Sequence, residues 1–182
     1  MAQHGTSKSE ESALVTALFR SREDAEAAYQ SLRDRGYSDN DINVMMSDKT
    51  RNAYYTTETG ETKLGSKALE GAGAGGAIGG ALGAIVGGIA AIGTNVLLPG
   101  LGLVVWGPIA AALVGAGAGG ATGGLVGALI GWGIPEERAK VYESGIREGG
   151  TVLGVRPRTS EDAEYFENEW RSPRYRGEHV YR

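Results

Sequence analysis

Residues 71–135 form sixty-five consecutive positions without a charged side chain, and this tract limits the chain's folding options more than any other feature. It holds one glycine pattern twice, GAGAGGAIGGALGAIVG at 71–87 and GAGAGGATGGLVGALIG at 115–131. Gly71, Gly75, Gly79, Gly83 and Gly87 recur every four residues, as do Gly115, Gly119, Gly123, Gly127 and Gly131. On a helix that spacing keeps the small residues near one face and lets two backbones approach closely. The residues between are mostly Ala, Ile, Leu and Val, whereas flexible linkers are normally polar. Glycine costs roughly 0.8–1 kcal/mol per interior helical position relative to alanine, so such helices need close packing to persist. The pattern predicts two glycine-zipper helices, over about 66–98 and 108–133, each long enough to cross a hydrocarbon core of roughly 30 Å. Pro99, Gly100, Gly102 and Pro108 are expected to form the hairpin turn between them, with Trp106 near its buried tip.

The flanking sequence reads as a small α+β unit. ALVTALF at 13–19 suits a strand, and Ser21 with Asp24 suits the start of a helix. Ala25, Ala28, Tyr29 and Leu32 share one face of that helix, and Gly36 suits its exit. INVMM at 42–46 reads as a second strand, with Met45 and Met46 as packing residues. AYYTT at 53–57 is a candidate third strand. Beyond the tract, Pro135 and Glu136–Glu137 suit a helix start. Ala139, Tyr142 and Ile146 give that helix an apolar face, and TVLGV at 151–155 reads as the last strand. This element order predicts a ferredoxin-like small domain of the α+β class, interrupted by a long glycine-zipper α-helical hairpin. The expected divisions are a flexible lead at 1–12, the first part of the domain at 13–62, the hairpin at 63–134, the second part at 135–156, and a charged aromatic tail at 157–182. The tail is read either as disordered or as docking on a subunit or membrane.

SREDAEAAYQSLRDRGYSDNDINVMMSD and EERAKVYESGIREGGTVLGVRP resemble the opening and closing segments of bacterial general-stress and heat-induced stress proteins of the 17M type. The resemblance covers most of 13–156 and rests on structural positions: Gly36 and Tyr37, Tyr142 and Gly145, Gly149 and Gly150. It implies a similar fold and a stress-response context, and it brings no catalytic residue.

The chemistry-bearing residues are few. There is no cysteine, which excludes disulfides and thiol chemistry, and the net charge of −4 gives no reason to expect nucleic acid. His4 and His179 are far apart in sequence and have no nearby ligand cluster. The GxGxxG match at 71–76 lies inside the glycine repeat, and no GK[ST] follows it. Glu136 and Glu137 read as partners of a helix N-terminus, and Asp39 and Asp41 as turn residues. No catalytic residue, metal, cofactor or small-molecule substrate is therefore expected. No basic-then-apolar signal sequence opens the chain, so the expected location is cytoplasmic. Two functions fit this reading. The first is a non-enzymatic stress protein that associates with or remodels a lipid bilayer at the inner face of the membrane, through oligomerising hairpins. The alternative is a soluble self-assembling scaffold forming a shell, rod or filament. Both take a second copy of the chain as partner.

Overall fold

The computed structural model describes residues 14–55, 96–98, 102–110 and 120–182, with backbone alone at 96–98, 120–124 and 128. Its centre is a six-stranded antiparallel sheet in the order β3-β4-β2-β5-β1-β6. The strands are β1 (Val15–Phe19), β2 (Ile42–Ser47), β3 (Val96–Leu98), β4 (Leu103–Trp106), β5 (Thr151–Val155) and β6 (Glu178–Tyr181). The helices are α1 (Arg22–Asp34), α2 (Asp48–Tyr54), α3 (Gly120–Gly131), α4 (Glu136–Arg147) and α5 (Ser160–Arg171).

The alternation of side chains along each strand divides the core in two. Val15, Ala17 and Phe19 of β1, Val44 and Met46 of β2, and Val104 and Trp106 of β4 face one layer, which is covered by α1 and α5. Leu18, Met45, Leu103, Val105 and Val152 face the other, under α3 and α4. Met45 and Met46 are both core residues, one on each side. Helices therefore cover both faces of the sheet, which overturns the two-layer ferredoxin-like expectation.

Short-range signals formed the elements they predicted. The Ser21 hydroxyl accepts a hydrogen bond from the Asp24 amide at 3.0 Å, and Gly36 leaves α1 at φ +81°. On α4, Ala139, Tyr142 and Ile146 are all buried, and the Tyr142 hydroxyl bonds to Thr16 on β1 and to the His179 carbonyl on β6.

Three segments differ from expectation. The Ser47 hydroxyl caps α2 through the Thr50 amide, so residues 53 and 54, expected in a strand, end a helix instead. Val96–Leu98, expected at the end of the first zipper helix, pairs instead with β4 in the register Leu98↔Leu103. The reversal at 99–102 thus joins two strands: Gly102 takes φ +61°, and the LVVW alternation sends Leu103 and Val105 to one core and Val104 and Trp106 to the other. Trp106 lies opposite Val44 in mid-sheet, 1% exposed, and is not the tip of a helical hairpin. The third segment is the tail. Thr159 caps α5 through the Asp162 amide, and Ala163, Phe166, Trp170, Tyr175 and Val180 complete the first core cluster. β6 then pairs with β1.

The long helical hairpin is also overturned. Residues 108–110 are helical and α3 has 12 residues, and among the described residues no helix is long and apolar enough to cross a membrane. Gly71, Gly75, Gly79, Gly83, Gly87, Gly115, Gly119, Pro99 and Gly100 lie outside the described residues, as does the GxGxxG match.

Candidate functional site

Among the described residues, four of the five helices present charged residues to solvent. Ion pairs such as Lys140–Glu136 and Arg147–Glu143 on α4, and Arg171–Glu167 on α5, mark those outer faces. Helix α3, GATGGLVGALIG, carries no charge on any side. Leu125 and Leu129, 4% and 0% exposed, anchor it in the second core cluster with Ile134 and Ala139. Gly133, at φ +95°, ends the helix, with the Ile134 amide bonding back to the Leu129 carbonyl at 3.1 Å.

At 3.6 residues per turn, Ile130, Gly127 and Gly131 fall on a continuous arc of about 100° that points away from Leu125 and Leu129, while Val126, beside it, packs partly against the second core cluster. Ile130 is 43% exposed. No described atom lies within 4 Å of a Cβ placed at Gly127 or Gly131. The two fully described glycines of the repeat therefore meet no packing partner among the described residues. Close packing occurs at glycines outside the repeat. A Cβ at Gly145 would meet Leu18 Cδ2 at 2.3 Å, one at Gly154 would meet Trp132 Cη2 at 2.2 Å, and one at Gly107 would meet the Ile42 carbonyl oxygen at 2.2 Å. No periodic signal marks those three positions. Gly123 lies in α3, and of the expected turn residues Gly102 and Pro108 are described, both exposed.

The titratable groups act as structural partners. Burial pushes Tyr142 and Tyr37 up to about 12, so both hydroxyls stay neutral and donate hydrogen bonds. Asp39 accepts from the Tyr29 hydroxyl and pairs with Arg33 at 3.1 Å. Asp41 takes Ser38 and Arg158 as partners. Those contacts occupy the two aspartates, and no group of three or more His, Cys, Asp or Glu suited to a metal occurs among the described residues. Glu136 pairs with Lys140 at the start of α4, and His179 contributes its backbone carbonyl to Tyr142.

No family model, curated protein or solved structure matches the chain. The stress-response context drawn from the resemblance has no match to support it and is set aside.

Proposed function

We propose that this chain is a non-enzymatic, self-assembling structural protein whose copies meet through the apolar outer face of α3. The observation that carries this reading is the uncharged strip of Ile130, Gly127 and Gly131 on a helix whose described neighbours all carry charges outward. Fully burying an isoleucine is worth about 1.5–3 kcal/mol, and part of that gain is left unrealised at Ile130. A second copy offers the same strip, so a two-fold contact is self-complementary. The small Gly127 and Gly131 let the opposing backbone approach closely.

The size of the strip sets the expected strength. Among the described residues the strip covers little more than one helical turn, a footprint well below the roughly 800 Å² per partner of a stable interface. Association is therefore expected to depend on concentration. Light scattering on the full chain, free of detergent and lipid, tests this. The mean mass should rise with concentration for the native chain and stay at the monomer value for Ile130→Asp, with unchanged thermal unfolding of the monomer. Equal masses for the two proteins at every concentration would overturn the proposal. The membrane reading is not retained, because its spanning helices are not found among the described residues.

A further inference from the structure

A cleft of about 260 Å³ opens where β4 and β5 end and β2 begins, lined by Asn40, Asn43, Pro108, Ile109, Trp132 and Arg156 together with Asp41. Its walls are fixed by the fold. Asn43, 4% exposed, accepts from the Ile109 amide at 2.8 Å through Oδ1 and donates from Nδ2 to the Gly154 carbonyl at 3.3 Å. The benzo edge of Trp132 fills the space that a side chain at position 154 would need. Asp41 is held by the Ser38 amide and hydroxyl at 2.8 and 2.7 Å and by Arg158 at 3.1 Å, so the charge on this rim is already balanced. Arg156 differs: it is exposed and has no hydrogen bond or ion pair with any described residue.

Three kinds of group thus converge on one small preformed space. Trp132, Pro108 and Ile109 supply apolar surface, Arg156 supplies a cation with no acceptor among the described residues, and Asn40 and the second amide hydrogen of Asn43 supply neutral donors. Ligand pockets combine a mostly apolar lining with a few fixed polar groups in this way. A guanidinium matches a carboxylate in two parallel hydrogen bonds. We propose that this cleft binds a small aromatic carboxylate, with the ring against Trp132 and Pro108 and the carboxylate on Arg156. The site is separate from the α3 strip and does not depend on self-assembly.

Benzoate is the probe, with benzyl alcohol as its uncharged counterpart. Trp106 and Trp170 are 1% and 0% exposed, so Trp132 is the indole that a ligand in the cleft would touch. Benzoate should change tryptophan emission saturably in the native chain, and Trp132→Phe should remove that change. Calorimetry should give binding roughly tenfold weaker for Arg156→Gln, as expected for a lost charge-assisted pair, with an intermediate affinity for Arg156→Lys, which keeps the charge and loses the second hydrogen bond. Benzyl alcohol should also bind roughly tenfold more weakly than benzoate. Arg156 is exposed and makes no hydrogen bond or ion pair with a described residue, so its variants should unfold at the native temperature. No saturable binding of benzoate, equal affinity for benzoate and benzyl alcohol, or native affinity in Arg156→Gln would each overturn the proposal.

Discussion

At the scale of single residues, glycine has two opposite roles in this protein, and one substitution separates them. Gly107 has φ +99°, and a Cβ there would lie 2.2 Å from the Ile42 carbonyl oxygen, a backbone atom that cannot rotate away. Gly127 has helical geometry and open space beside it. Gly107→Ala should therefore destabilise the fold by about 2 kcal/mol or more, through a clash and an unfavourable backbone angle. Gly127→Ala should stabilise it by roughly 0.8–1 kcal/mol through helix propensity alone. Urea denaturation of both variants checks the contrast, and destabilisation by Gly127→Ala would show that its face is already closely packed within the monomer. The sequence pattern pointed the other way. It drew attention to glycines in register, whereas contact requires knowing what lies across from each one. Gly145 meets Leu18 from 127 positions away, a distance that no local period reports.

At the scale of elements, legibility followed the range of the interactions that define each one. β1, α1, β2, α4 and β5 were readable because caps and apolar faces lie within a few residues of one another, as with Ser21 and Asp24. β3 differs because an aliphatic run suits either a helix or a strand, and β4 because its four residues lie between two prolines and read as part of a turn; the pairing of Leu98 with Leu103 decides both. α5 had a local signal that the charge-rich composition masked: Thr159 before Glu161 and Asp162, then Ala163, Phe166 and Trp170 at helical spacing. This helix is joined to α1 by a polar hub. The Tyr37 hydroxyl donates to Asp162 at 2.7 Å and Arg35 donates at 3.0 Å, while the Arg158 amide donates to Tyr37 at 2.8 Å. The Tyr37 hydroxyl holds the Asp162 carboxyl below its ordinary value, with Arg35 adding to this against partial burial. Partial burial also opposes ionisation of Asp41, and the Ser38 and Arg158 contacts outweigh it. A carboxylate with a lowered folded pKa stabilises the fold above its unfolded value near 3.9, and that contribution fades as pH falls through the folded value. Stability should thus be insensitive to these groups from about pH 7 to pH 5 and decline below about pH 4. Asp162→Asn should cost about 1–2 kcal/mol at pH 7 and flatten the acid decline, as read from urea midpoints against pH. An unchanged acid slope would remove the hub from the account.

At the scale of the whole molecule, a three-layer arrangement leaves one helix unlike the rest. α1, α4 and α5 each bury one face and turn charges to water, which suits a domain that stands alone. α3 buries Leu125 and Leu129 and turns Ile130 and two glycines outward, which suits a domain that meets another copy. The sequence revealed that this region is uncharged and built on a repeat. It could not reveal that α3 would lie on one side of a six-stranded sheet, because that placement depends on β2 pairing with β4, 56–62 residues away, and with β5, more than a hundred residues away. The absence of cysteine allows the most direct test of the central claim, that copies meet at the α3 face. A single cysteine is introduced either at Ile130 or, as a control, at Tyr54 on α2, which is 52% exposed. Both proteins are oxidised at the same concentration and the covalent dimers counted on a denaturing gel. Ile130→Cys should form disulfide-linked dimers at least several-fold faster than Tyr54→Cys, despite its lower exposure. Equal rates, or faster linkage through position 54, would contradict the claim.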